Sequence, residues 1–249
     1  MITLDSALSF YHYGKATSTA ADYNGVDMRT EVYLLTRNVK IYGDSTDDWP
    51  AHILVTDQEE TNGQLNKGSL IMNNVEVDNC SQEDQGRGCI RFEGAIGGAN
   101  TYSKISNSAV HNGMDWALSL LSAENIEIRN NVFVGFTSIG ARIDYTKNVT
   151  IVGNYMGDVK SRTLYLIDNT VDKEACWAIG SVSDIKTGVK NIGLTFTDNI
   201  AAGCQYAGFI APGYLACGDV NSRIFYNNVA HSINGLGAYL YNNPLSTSS

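Results

Sequence analysis

From residue 122 to residue 159, apolar and polar side chains alternate in two segments that are one pattern written twice. Ser122-Ala123-Glu124-Asn125-Ile126-Glu127-Ile128-Arg129-Asn130-Asn131-Val132-Phe133 is followed by Tyr145-Thr146-Lys147-Asn148-Val149-Thr150-Ile151-Val152-Gly153-Asn154-Tyr155-Met156. Asn125 and Asn148 stand 23 positions apart, as do Asn131 and Asn154. Alternation of this kind marks half-buried strands, and a period of this length marks stacked repeats. With two or three short strands per copy and no helical periodicity, the pattern predicts an all-β chain in which each coil of a right-handed parallel β-helix pairs with the coils above and below. Other asparagines extend the rhythm: Asn107 lies 24 positions before Asn131, Asn199 lies 45 after Asn154, Asn228 lies 29 further on, and Asn74 lies 33 before Asn107. Asparagine suits a corner because it tolerates the left-handed conformation and can bond to backbone or to the next asparagine.

The expected architecture is a single-stranded solenoid of the pectin-lyase-like class, one domain over residues 1–249, with roughly eight to ten coils. Residues 1–45 read as the cap and first coils, 46–240 as repeat coils, and 241–249 as a tail. The interval Asp168 to Thr187 breaks the rhythm and reads as an excursion that could carry function. Shifting coils by 23 residues stacks Leu118 on Ala141 and Leu120 on Ile143, pointing inward with Ile126, Ile128, Val149 and Ile151. Their neighbours then face outward: Arg91, Ser119, Arg142 and Tyr165 in one column, with Glu93, Leu121 and Asp144 beside it. Such a face could bind a glycan, or serve a polysaccharide lyase in which a cation neutralises a uronate while a base removes a proton. Glu93 and Asp144, two coils apart, would hold their carboxylates on the order of 10 Å apart. That slightly exceeds the ~6.5 to 9.5 Å of an inverting glycosidase pair. The alternative is that these charges simply compensate one another. His111 and Asp115 are expected at a corner beside this face, where a hydrogen-bonded turn is the commoner role for a histidine.

Composition sharpens this picture in two ways. Gly 24 with only Pro 3, and 14 Tyr, fits a chain of strands and tight corners. The balance of 26 acidic against 17 basic groups, net −9, and the lack of a Lys/Arg cluster argue against nucleic acid. No apolar run is long enough to span a membrane, and Met1-Ile2-Thr3-Leu4-Asp5 does not read as a signal peptide. The five cysteines show no metal-binding spacing, so neither a metal nor another cofactor is expected. Cys80 and Cys89 bracket one loop, and Cys204 and Cys217 bracket one coil; both pairs could be disulfides in an oxidising compartment, leaving Cys176 over, or all could be buried thiols. Two sequons, at Asn79 and Asn148, could accept glycans on a secreted chain.

The segment Met28-Arg29-Thr30-Glu31-Val32-Tyr33-Leu34-Leu35-Thr36-Arg37-Asn38-Val39-Lys40-Ile41-Tyr42-Gly43-Asp44 resembles a signature of the fibrocystin and fibrocystin-like family and of cell-surface hyaluronidases of the cell-migration-inducing type. The likeness continues through Asn199-Ile200-Ala201-Ala202-Gly203-Cys204, Gly208-Phe209 and Asn227-Asn228-Val229-Ala230-His231-Ser232. The resemblance implies right-handed β-helix coils and an extracellular or cell-surface fragment of something longer. Where the hyaluronidase branch has a His-x-His pattern, this chain has Arg91-Phe92-Glu93, so no catalytic residue carries over. The expectation is a non-catalytic surface module that binds a polysaccharide or an extracellular protein, or assembles through its β-helix ends. The alternative is a polysaccharide-degrading enzyme using Arg91, Glu93, Arg142, Asp144 and Tyr165.

Overall fold

A computed structural model describes residues 31–44, 50–83, 87–98, 100–161, 174–180, 191–212 and 225–241. The chain divides into two compact units, Met1–Leu34 and Leu35–Ser249, and every described strand belongs to the second. Of the cap and first coils expected over 1–45, residues 1–30 lie outside the described residues, as do residues 242–249 of the expected tail.

The chain enters with β1 (Val39–Tyr42) and β2 (Ile53–Val55), then makes a small antiparallel hairpin of β3 (Gln58–Glu59) and β4 (Leu65–Asn66). From there a unit of three strands repeats. Its first copies are β5 (Ile71–Asn73), β6 (Val75–Cys80) and β7 (Ile90–Glu93), then β8 (Ser103–Ser106), β9 (Ala109–Gly113) and β10 (Leu118–Leu121). The central copies are β11 (Glu124–Arg129), β12 (Val132–Thr137) and β13 (Ile139–Asp144), then β14 (Lys147–Val152), β15 (Tyr155–Lys160) and β16 (Ala175–Ile179). The last are β17 (Ile192–Thr197), β18 (Ile200–Ala202) and β19 (Ala207–Pro212), then β20 (Phe225–Tyr226), β21 (Val229–His231) and β22 (Leu236–Tyr241). Each position in the unit builds its own parallel sheet: β1-β6-β9-β12-β15-β18-β21, β2-β7-β10-β13-β16-β19-β22, and β5-β8-β11-β14-β17-β20. This is the all-β parallel β-helix that the 23-residue pattern predicts. The described residues give seven rungs in the two longest sheets, beside the roughly eight to ten coils expected for the whole chain.

The corners explain the asparagines, and they separate two roles that the sequence pattern merges. Between the third and first sheets one residue per coil takes a left-handed backbone: Asn74 (φ 56°), Asn107 (53°), Asn130 (55°), Gly153 (69°), Asp198 (57°) and Asn227 (52°). From Ser108 on, the next residue joins a ladder and is buried at Ser108, Asn131, Asn154 and Asn199 and half-buried at Asn228. The Oδ1 atoms of Asn131, Asn154, Asn199 and Asn228 accept the backbone N–H of Ser108, Asn131, Asn154 and Asn199, at 2.9 to 3.0 Å. Their Nδ2 atoms donate to the carbonyls of Ile105, Ile128, Ile151 and Phe196. Asn107 therefore belongs with Asn130, and Ser108, not Asn107, precedes Asn131 in the ladder. The one-residue slip matters because it separates an exposed corner from a buried amide that satisfies main-chain groups.

Inside the coils, Leu118, Leu120, Ile126, Ile128, Ala141, Ile143, Val149 and Ile151 are all buried, and Leu118 and Ala141 are direct strand partners. Phe133, Trp177, Phe196, Phe209 and Phe225 pack along the interior with ring centroids 5.3 to 6.1 Å apart. Trp177 corrects an expectation. The centre of the supposed excursion from Asp168 to Thr187 is β16, a wholly buried strand between β13 and β19; only its flanks lie outside the described residues. The period was masked by long connections on both sides of an ordinary core strand.

Cys80 and Cys89 form the expected disulfide across the loop between β6 and β7, with Cα atoms 4.9 Å apart. The second bridge differs from the expected Cys204–Cys217 pair. Cys204 bonds to Cys176, with Cα atoms 5.8 Å apart, and Cys217 lies outside the described residues. Burial of β16 brings Cys176 beside the corner after β18, a proximity that sequence separation conceals.

Candidate functional site

The outer face of the second sheet has the register that the repeat predicts. Arg91 pairs with Ser119 and Ser119 with Arg142, while Glu93 pairs with Leu121 and Leu121 with Asp144. The next position of the column is Ala178, followed by Ile210 and Tyr239, so Tyr165 does not stand there; it lies outside the described residues. The face is also less open than alternation implies, since Ser119 is 0% and Asp144 2% exposed. Past Arg142 it becomes apolar, with Ile139, Ala175, Ala178, Ala207 and Ile210 buried in a cluster of their own beside Trp116, Tyr206 and Tyr239.

Charge on this strip is paired within each strand. Arg91 Nη2 lies 2.7 Å from Glu93 Oε2, and Arg142 Nε donates to Asp144 Oδ2. The pairing follows from strand geometry, because residues i and i+2 share a face. The Arg142 guanidinium also lies over the Trp116 ring, 5.5 Å from its centroid. Arg91 Nε and Ser119 Oγ are buried without a hydrogen-bond partner among the described residues. At the edge of the strip His52 Nδ1 faces the Gly88 carbonyl at 2.6 Å. Burial pushes the His52 imidazole below its ordinary pKa, against that hydrogen bond and with help from the Arg91 and Arg87 charges. Asp115 is buried at the neighbouring corner, where its backbone N–H donates to Ser81 Oγ at 2.7 Å.

His111 does not border this strip. It lies on β9 in the first sheet, directly paired with Asp78 of β6. Its Nδ1 is 3.1 Å from Asp78 Oδ1 and its Nε2 is 3.3 Å from Glu76 Oε1. Glu76, only 2% exposed, is also held by Lys40 Nζ at 3.0 Å and by the Arg37 backbone N–H at 2.9 Å. Burial, the largest influence, would raise the Glu76 carboxyl, yet the Arg37 N–H, Lys40 and His111 together hold it below the usual range. A cleft of about 840 Å³ opens beside the cluster, lined by Tyr42, Gly43, Asp44, Asp78, Asn79 and Asn112. Sequence reasoning missed Lys40, Glu76 and Asp78. The signal was present in Val75-Glu76-Val77-Asp78, where strict alternation puts two acids on one face of a strand.

Both sequon asparagines take left-handed backbones and spend their amides locally. Asn148, exposed, donates to Asn125 Oδ1 at 3.2 Å, and half-buried Asn79 donates to the Gly43 carbonyl at 3.0 Å.

Comparison with known proteins finds similarity in the amino-acid sequence. The chain is similar to mouse fibrocystin, 26% identical over 239 residues, which is 96% of this chain and 5% of fibrocystin. The chain thus spans about one twentieth of that relative's length, and the likeness supports a fibrocystin-like relationship weakly. No protein-family model and no solved structure matches. Among the described residues, no helix is long and apolar enough to cross a membrane.

Proposed function

We propose that this chain is a non-catalytic, extracellular β-helix module of a fibrocystin-like surface protein, presenting the outer face of its second sheet to an acidic glycan or an extracellular protein. The observation that carries the proposal is the ion pairing of that face. A glycosidase or lyase needs a carboxylate poised to exchange a proton, whereas Glu93 and Asp144 are each engaged by an arginine two residues away on the same strand. Arginines beside an aromatic ring suit a planar carboxylate or sulfate on a sugar, which can exchange for the intramolecular acid in a bidentate contact. Two disulfides and the likeness to fibrocystin support an oxidising, extracellular setting. End-to-end assembly belongs to the same proposal. Among the described residues no strand covers the outer edges of β1, β2 and β5, whose Val39, Ile41, Leu54 and Ile71 are exposed.

The test is incubation with hyaluronan, pectin and alginate, following reducing ends, unsaturated uronate absorbance and binding. The expected outcome is no turnover, with saturable binding to at least one polymer weakened about tenfold in Arg142→Ala, a loss of roughly 1.4 kcal/mol. Turnover that disappears in folded Arg142→Ala and Asp144→Ala variants would overturn the proposal in favour of a polysaccharide-degrading enzyme.

A further inference from the structure

The first-sheet cluster has a feature that an ordinary ion-pair network does not explain. His111 is 8% exposed, and its Nε2 is buried without a hydrogen-bond partner although Glu76 Oε1 stands only 3.3 Å away. No hydrogen bond joins the two atoms. Their separation fits two ligands of one metal ion: bonds of about 2.0 to 2.1 Å at a tetrahedral angle place N and O donors about 3.4 Å apart. The other ring nitrogen, Nδ1, faces both Asp78 Oδ1 at 3.1 Å and the Asn112 amide Nδ2 at 2.9 Å. With the ring proton on Nδ1, the Nε2 lone pair is free to bind a metal ion that Glu76 Oε1 also reaches. A carboxylate behind a ligating imidazole is the usual outer support of a metal site.

We propose that Glu76 and His111 bind a divalent transition-metal cation, of the class that zinc represents, with Asp78 orienting the imidazole. The donor atoms of all three residues lie within 4.8 Å of one another. An imidazole nitrogen with carboxylate oxygens favours zinc-class ions over calcium or magnesium, which prefer oxygen alone. The frame is stiff, because β6 and β9 are neighbours in register and the Cys80–Cys89 disulfide closes the end of β6. Asp78 also lines the adjoining cleft. Lys40 is the resident cation, 3.0 Å from Glu76, and its side chain is 49% exposed, so it can swing into solvent when a metal takes its place. Metal and lysine therefore compete for one carboxylate.

This competition makes the test specific. Calorimetric titration of the whole chain with Zn²⁺ at neutral pH should show one site that weakens at least tenfold in His111→Ala and in Glu76→Gln. Asp78→Asn should weaken it by about 10-fold to 100-fold through loss of the orienting partner. Lys40→Ala should tighten it severalfold, whereas a site elsewhere would not respond to this change. His52→Ala and His231→Ala should leave it unchanged. No binding, or binding indifferent to Asp78→Asn and Lys40→Ala, overturns the proposal; those two variants decide it even if His111→Ala fails to fold.

Discussion

At the scale of single residues, the clearest electrostatic device is Glu127 on β11. Its carboxylate accepts from Lys104 Nζ at 2.9 Å, Tyr102 Oη at 2.8 Å and Arg129 Nε at 3.0 Å. The Lys104 hydrogen bond, followed by that of Tyr102, pulls the Glu127 pKa down to about 2 from its ordinary 4.5. Burial and the Glu127 contact push Tyr102 up to about 12 from 10.0. The sign follows from linkage: a depressed carboxyl favours the folded state above its unfolded pKa, and that contribution is lost as pH falls through the folded one. Wild type should therefore be more stable than Glu127→Gln at neutral pH, with the difference closing between pH 4.5 and about 2. Tyr102 works in the opposite direction, contributing below pH 10 and losing its contribution as pH rises towards about 12. Urea unfolding of both proteins across this range measures the gap; a constant difference from neutral pH to pH 2 would refute the assignment.

At the scale of elements, stability comes from rungs that share partners. The asparagine ladder lets each side-chain amide satisfy an N–H and a carbonyl of the preceding coil, so the corners become part of the hydrogen-bonded lattice. Covalent ties reinforce two places where the rungs are joined by long connections. Cys80–Cys89 closes the loop before β7, and Cys176–Cys204 ties β16 to the corner after β18. Non-reducing digestion of the oxidised protein should yield these two linkages, with Cys217 in neither. Cys176→Ala should lower stability by about 3 kcal/mol, since it releases a loop of 28 residues in the unfolded chain. A Cys204–Cys217 linkage in the native protein would refute this pairing.

At the scale of the whole molecule, a stack of coils is held by contacts between neighbours, and among the described strands the end rungs pair on one side only. Amide exchange followed by mass spectrometry should accordingly be slowest in β9 to β15 and fastest in β1, β2 and β20; uniform protection along the stack would contradict this. The same nearest-neighbour logic explains what was legible without a structure. Alternation sets the inward residues, and a 23-residue period sets which residues become partners, so the fold, the core columns and the Arg91-Ser119-Arg142 register all followed from local pattern. Wherever connections depart from the period, local pattern loses count. Local pattern therefore puts Trp177 in an excursion, leaves Cys176 without a partner, and sets Tyr165 where Ala178 stands. Burial of the outer strip was equally hidden, because alternation says which way a side chain points and not what covers it. The Glu76, Asp78 and His111 cluster required still more. Its acids are two positions apart on one strand, but the histidine comes from the next coil, 33 residues beyond Asp78, and only parallel pairing of β6 with β9 brings it to the carboxylates.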